Sequence, residues 1–368
     1  MTRREDPRSA RTSAAEARLG ERSQERARAE GLALHLDAAC LVCGAPVPEE
    51  PIGAVREHEY EETTGVEFPV VECPACGLVY LAPRPAESEL ERIYPDRYYA
   101  HRLATRSASA AERAPSFVER ALEARSARVL GERLRALGIV AGGARPPRVL
   151  DVGCGTGRHL DLVRRALPGA ETHGVDLSEA AVEVARRKGH VGHAGRFEDV
   201  ALPPGGFDLV LSFHVVEHVA RPDRFLARCA EALRPGGRIL IETPSTDGVD
   251  FRLLRRRHWG GYHAPRHWYL FRPSTLERLA PRVGLRMTSF GPAANAPFWV
   301  WTCHSLARPV LGRRLAGALF PPVEIFYGGV YSLALLAGFS LFERLLIRAT
   351  GRGSSLWAVF AKDDGRSG

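Results

Sequence analysis

The sequence predicts an α/β protein: a parallel sheet with crossover helices, preceded by a small cysteine-bearing module and followed by an apolar helical insert. Three observations carry this. Between Arg148 and Pro244 short apolar runs alternate with helical runs, the pattern of strands joined by crossover helices. Four of the seven cysteines fall in two C-x2-C-G units. An uncharged run of apolar, Gly, Ser and Tyr residues fills Ile325 to Phe342.

The chain has 368 residues, 45% hydrophobic and 26% charged, which allows about two domains and a sizeable core. Lys and Arg total 51 against 43 Asp and Glu, a formal net charge of +8. That balance favours anionic ligands or lipid, but acidic residues are interspersed throughout, so nucleic acid is not an expected partner. The first residues mix both charges and lack an apolar h-region, so no secretory signal is read there. The expected location is cytoplasmic, with the cysteines reduced and read as ligands, core residues or nucleophiles before disulfides.

In chain order, residues 1–31 are rich in Arg, Glu, Ala and Ser and read as a disordered or frayed helical tail. Residues 32–100 turn to Cys, Pro, Gly and aromatic residues, as in a zinc-ribbon-like module. Residues 101–147 form a helical connector, with apolar residues from Phe117 to Leu137 at near-helical spacing, and the breaker AGGARPP. Residues 148–290 hold the alternating core, in which RVLDVG, HGVD, FDLVLSF and RILIETP are the strand-like runs. Residues 291–354 are the apolar helical insert, and 355–368 a final strand and tail.

Cys40-Leu-Val-Cys43-Gly44 and Cys73-Pro-Ala-Cys76-Gly77 are separated by about 30 residues. Each pair can wrap one side of a tetrahedral ion, and the following Gly lets backbone amides turn toward the thiolates. Four soft ligands suit structural zinc and leave no open position for a catalytic water. Cys154, Cys229 and Cys303 have no paired spacing and read as packing residues.

Val149-Leu-Asp151-Val-Gly153-Cys-Gly155-Thr-Gly157 sets glycines between a buried strand and a helix, where the backbone can approach a ligand and turn sharply. Asp176 follows about 20 residues on at the end of the next strand, placed to accept ribose hydroxyls. The loop lacks G-x-G-x-x-G spacing, and Asp151 beside it would repel a pyrophosphate and attract a sulfonium and an ammonium.

This loop resembles motif I of the class I S-adenosylmethionine-dependent methyltransferases. The segment FDLVLSFHVVEHVARPDRFLARCAEALRPGGRILIETPS is similar to that family's fourth and fifth strands and the helix between them. The cysteine module, the PRP and YPDRYY segments and Trp259-Gly-Gly-Tyr262-His263-Ala-Pro-Arg266-His267 resemble a bacterial subgroup with an N-terminal four-cysteine module. The resemblance implies a Rossmann-like seven-stranded sheet with an antiparallel edge hairpin, formed here by residues 284–290 and 355–361. It implies S-adenosylmethionine held by Asp151, Gly153, Gly155, Gly157 and Asp176, with Glu198 or Asp199 facing the adenine. Arg196 stands where the family's usual Asp follows Gly195.

On the acceptor side His214, His263 and His267 are the catalytic candidates, since imidazole titrates near neutral pH and strand ends gather ligands. Glu217 and His218 could instead hold a divalent ion, as the similar pair suggests in ubiquinone-type O-methyltransferases. Arg252, Arg255, Arg256 and Arg257 could hold a phosphate or form a solvated face. The insert is expected to fold as helices beside the acceptor mouth, with Tyr262, His263, Arg266 and His267 as the opposite wall, or else to pack on the sheet or mediate dimerisation; a helical cap or interfacial helix is favoured over a membrane span. The acceptor is then a small or lipid-linked metabolite methylated on O or C, with peripheral contact at the inner membrane face. The rival readings are a zinc-ribbon RNA or protein methyltransferase and a non-catalytic nucleoside-binding scaffold or dehydrogenase.

Overall fold

The computed structural model describes residues 20–60, 63–95, 98, 117–140, 145–203, 206–327 and 329–362. Parts of the expected tail and connector, residues 1–19, 101–116 and 141–144, lie outside them, as do 363–368.

The expected tail differs from the structure over 20–30, which form a helix, α1. Ser23 and Ala27 are buried, and Glu30 accepts from Thr64 Oγ1 at 2.8 Å and Gly65 N at 3.1 Å. The anchors are polar and distant in sequence, which composition cannot reveal. Beyond α1, the cysteine module carries β1 (Gly53–Arg56), β2 (Glu67–Glu72) and β3 (Val79–Leu81).

A connector helix, α2 (Phe117–Ala136), leads to the core. There follow β4 (Arg148–Val152), α3 (Arg158–Ala166), β5 (Glu171–Asp176), α4 (Glu179–Arg187) and β6 (Val191–Ala194). Next come β7 (Phe207–Phe213), α5 (Pro222–Ala232) and β8 (Leu233–Pro244). The central strands are covered on both faces, so β7 is buried from Phe207 to Ser212. Helix α4 obeys the same economy, burying Ala181, Val182, Val184 and Ala185 behind a Ser178 cap.

After β8 the chain forms β9 (Tyr269–Leu270), α6 (Pro273–Leu279) and β10 (Leu285–Ala293). Two long helices, α7 (Ala296–Leu319) and α8 (Val330–Thr350), then precede β11 (Ser355–Lys362). The main sheet runs β10-β11-β8-β7-β4-β5-β6. Its last five members are parallel, and β11 pairs antiparallel with both β8 and β10. This is the seven-stranded sheet with an antiparallel edge hairpin, and the insert is helical.

Strand β9 leaves that sheet and pairs with β3, Tyr269 opposite Tyr80, completing a four-stranded sheet β9-β3-β2-β1. The cysteine module and the core therefore share one hydrophobic cluster, which includes Phe68, Val70, Tyr80, Trp268 and Phe271. Arg84 lies over the Trp268 ring at 4.5 Å.

Candidate active site

The glycine loop starts where β4 ends. Gly153, Gly155 and Gly157 have φ of +77°, +50° and +78°, which L side chains adopt only under strain. A Cβ on Gly153 would come within 2.5 Å of Val215 Cγ2. The loop is pinned by Gly153 N and Cys154 N to Val175 O and by Gly155 N to Asp176 Oδ2, at 2.8, 3.1 and 2.8 Å. Asp176 thus shapes the loop, and its oxygens keep lone pairs for a ligand.

Asp151 lies behind the loop, 1% exposed, and neither carboxylate oxygen accepts a hydrogen bond among the described residues. His159 Nδ1 is its one ionic neighbour, 3.7 Å from Oδ2, which leaves hydrogen-bonding capacity that a cationic or donor group could complete. The donor-poor carboxylate and the bare glycine backbone fit the ammonium and methionine part of S-adenosylmethionine.

Gly153, Asp176 and Glu198 open on a cleft of about 1490 Å³, which Phe213, His214 and Asn295 also line. One ligand fills roughly 300–1,000 Å³, so this cleft has room for an acceptor beside a cofactor. Asp199 does not reach it; its side chain is exposed near Arg196.

His214, with φ +54°, follows β7 directly, and a third of its side chain is exposed. Its Nδ1 lies 3.2 Å from Glu217 Oε1, and its Nε2 lies 3.7 Å from Glu242 Oε1 and 3.4 Å from Asn295 Nδ2. Burial alone would depress this imidazole, but Glu217 and Glu242 overcome it and raise its pKa to about 10. His218, also on the cleft, goes the other way. Burial lowers it to about 4, and its Nδ1 meets Tyr94 OH at 2.8 Å.

His263 and His267 correct the sequence expectation: both are buried, and neither lines this cleft. The loop carrying them is pulled toward the cysteine module by β9. Arg266, fully buried, pairs with Glu57 and lies 3.5 Å from Glu59, with its guanidinium over Tyr60 at 4.8 Å and Tyr98 at 5.5 Å. Glu59 Oε2 is 2.6 Å from His263 Nδ1. Burial and the neighbouring Glu57 hold Glu59 well above the carboxylate range, and burial holds His263 well below the imidazole range. Both shifts favour the neutral forms of this pair, beside the Arg266–Glu57 ion pair. His267 Nδ1 is 2.7 Å from Gly261 O. Glu217, His218 and His267 bring one donor atom each within 4.8 Å, but the same groups bind the loop through Thr243, Tyr94 and Gly261.

The arginine patch is likewise structural. Arg255 and Arg257 pair with Glu72 and Glu67 of β2, and Arg252 with Asp247; none of these arginines lines the cleft. In their place Tyr94, Tyr98 and Trp268 form one wall, and Leu336, Ser340 and Arg344 of α8 another. The insert thus borders the cleft, while the wall opposite is aromatic and does not include His263 or His267. Asn295 and Glu242 had no sequence signal at all.

The cysteines form two matching knuckles. Cys40 O and Cys73 O accept from Gly44 N and Gly77 N at 2.8 and 2.7 Å, with φ of +77° and +76° at the glycines. Cys40 and Cys76 Sγ are 3.5 Å apart, as are Cys43 and Cys73 Sγ, and all four sulfurs lie within 4.8 Å. Tetrahedral zinc with sulfur at about 2.3 Å needs edges of about 3.8 Å, so the donor set fits. Burial opposes ionisation of Cys73, but the Cys76 and Ala75 amides bring its pKa down to about 7.

The fold and the glycine loop at the strand ends define the class: an α/β enzyme with a Rossmann-like seven-stranded sheet. The methyltransferase-domain family matches residues 114–289. A ubiquinone biosynthesis O-methyltransferase of Mesorhizobium japonicum is 40% identical over 102 residues, covering 26% of this chain and 40% of that protein. One from Aromatoleum aromaticum is 39% identical over 156 residues, covering 38% and 63%. One from Bordetella avium is 31% identical over 171 residues, covering 42% and 68%. The chain thus spans less than two thirds of the first two relatives and slightly more of the third. It belongs to the class I S-adenosylmethionine-dependent methyltransferases.

Proposed function

We propose that the protein transfers a methyl group from S-adenosylmethionine to an oxygen, or else a carbon, of a small lipid-linked metabolite. In this reading zinc holds the N-terminal module. The observation that carries the reading is Asp151, a buried carboxylate behind a bare glycine loop that accepts no hydrogen bond among the described residues and has only His159 Nδ1, at 3.7 Å, as an ionic neighbour. When bound, S-adenosylmethionine supplies a methyl carbon already activated by its sulfonium. Asp151 holds the ammonium, Gly153, Gly155 and Gly157 leave room for the methionine part, Asp176 takes the ribose hydroxyls and Glu198 faces the adenine. His214, as an imidazolium on the cleft, stabilises negative charge on the acceptor oxygen, so that the hydroxyl releases its proton to cleft water more readily and attacks the methyl carbon as the better nucleophile. The names of the relatives favour oxygen, and Leu90, Val129, Leu130 and Leu336 give the cleft an apolar wall suited to a hydrophobic acceptor. Such an acceptor places the work at the cytoplasmic face of a membrane.

Calorimetry tests the cofactor. S-adenosylmethionine and its demethylated product should bind and NAD should not, and Asp176→Ala should weaken binding about 10- to 150-fold, the worth of a charged hydrogen bond. Equal affinity in wild type and variant overturns the assignment. Metal analysis should find about one zinc per chain, lost in Cys43→Ser while cofactor affinity persists. Protein prepared without chelators and free of zinc removes the metal part.

A further inference from the structure

Helix α8 is inside out. Its buried residues are Ser332 and Glu343, while Val330, Leu333, Leu341, Phe342 and Leu345 are exposed. At 100° per residue the exposed set covers about half the helix circumference, and the two polar residues fall on the opposite side. A helix that faces water has the reverse arrangement. Glu343 has a definite inward task, accepting from Asn295 N at 2.6 Å and Ser354 N at 2.8 Å. It fastens the start of α7 to the end of the insert, so the inversion is built into the fold.

Helix α7 continues the apolar face. Its first half is buried, but past Ser305 it exposes Leu306, Val310, Leu311 and Leu315. Tyr331 OH donates to Leu319 O at 2.7 Å, and Trp299 meets Phe342 with ring centroids 5.0 Å apart, so the two helices present one surface. From Gly291 to Ser354 the chain carries six arginines and two acids, one of them the buried Glu343. Arg313, Arg314, Arg344 and Arg348 are exposed on the hairpin. Arg344 and Arg348 stand on the same face near the C-terminal end of α8, and Arg313 and Arg314 beside the break in α7; apolar side chains with arginines at their ends match a bilayer with anionic headgroups, whereas a second copy of this surface would oppose like charges.

We propose that the α7–α8 hairpin lies in the interface of an anionic bilayer, with Val310, Leu315, Val330, Leu333, Leu341 and Leu345 toward the acyl chains. The helix α8 is long and apolar enough to cross a membrane, but the hairpin lies flat. Its partner α7 breaks at Gly312 (φ 74°, ψ 165°) beside Arg313 and Arg314, and the chain must return between neighbouring strands β10 and β11. Because Leu336, Ser340 and Arg344 line the cleft from the same helix, the cleft opens at the lipid surface. This rests on the lipid-linked acceptor only for its purpose.

Flotation of the full chain with vesicles of phosphatidylcholine and phosphatidylglycerol tests it. Wild type should float, and the combined Val330→Ser, Leu333→Ser and Leu341→Ser variant should lose at least about tenfold in bound fraction, from the apolar area withdrawn. Arg313→Ala and Arg314→Ala should each cost roughly fivefold on anionic vesicles and little on pure phosphatidylcholine. Calorimetry with S-adenosylmethionine on the same preparations separates this from the cofactor reading. Wild type that stays off vesicles while binding the cofactor overturns the hairpin and leaves the cofactor reading intact. A dimer by light scattering that the triple variant dissolves, or recovery only in detergent, also overturns it, in favour of a self-interface or a spanning helix.

Discussion

Helices α4 and α8 belong to one domain and follow opposite rules. Helix α4 buries Ala181, Val182, Val184 and Ala185 and meets water with Glu179, Glu183 and Arg186, joined by an ion pair of 2.6 Å between Arg186 and Glu179. Helix α8 buries a serine and a glutamate and exposes valine, leucine and phenylalanine. The difference extends to the regions around them. The cofactor half is held by apolar burial and local glycine turns. The acceptor half is held by buried polar groups, with the Arg266–Glu57 ion pair and Glu59 in its core and Glu343 at its base. One half is built for water and a small polar ligand, the other for a surface that water does not supply.

The largest effect that would break this contrast is at Arg266. Arg266→Met strands Glu57 in the core without its counter-charge and should cost about 3–5 kcal/mol of stability, measured by denaturant unfolding. Adding Glu57→Gln should recover part of that, because both charges are then gone. Affinity for S-adenosylmethionine should hold in the folded variant; its loss would show that the two halves are one unit. Next is a matched pair of substitutions. Val182→Ser in α4 removes fully buried methyls and should cost about 2 kcal/mol, whereas Leu345→Ser in α8 should change stability in water by no more than about 0.5 kcal/mol. Equal costs at the two sites would mean that α8 is covered in solution.

The cofactor half was legible because its signals are local. The glycines, Asp151 and Asp176 lie within one strand-loop-helix-strand unit, and each cysteine pair carries its own turn. The acceptor half was not legible in the same way. His263 and His267 do follow the fifth strand of the core, as a ligand loop should, but the pairing of Tyr269 with Tyr80 draws them under the cysteine module. Nothing near either segment announces that pairing. Glu57 and Glu59 carry no local signal of burial, because their partner Arg266 lies more than half the chain away. The run from Ile325 to Phe342 is too uniformly apolar to have an evident inner face, so only Glu343, just past its end, could have oriented it. Arg252, Arg255 and Arg257 left a phosphate site and a solvated face both open because their acidic partners lie mainly in the distant β2.

The smallest effect lies at His214, where the two halves meet. Glu217 and Glu242 hold its pKa at about 10, so the ring is an imidazolium throughout the neutral range. Since the folded value is raised above the ordinary imidazole range, the pairing stabilises the protein fully below about pH 6.5 and loses that contribution as pH rises through about 10. The side chain reaches cleft water, so the contribution should be only about 1 kcal/mol. Ring-proton NMR should show His214 titrating near 10 in wild type and lower in Glu242→Gln, which removes one of the two carboxylates that favour the charged ring. His218, held low by burial, should not move in step. A wild-type His214 that titrates in the ordinary range would remove the cation from the cleft, and with it the role proposed for this residue in favouring a deprotonated acceptor oxygen.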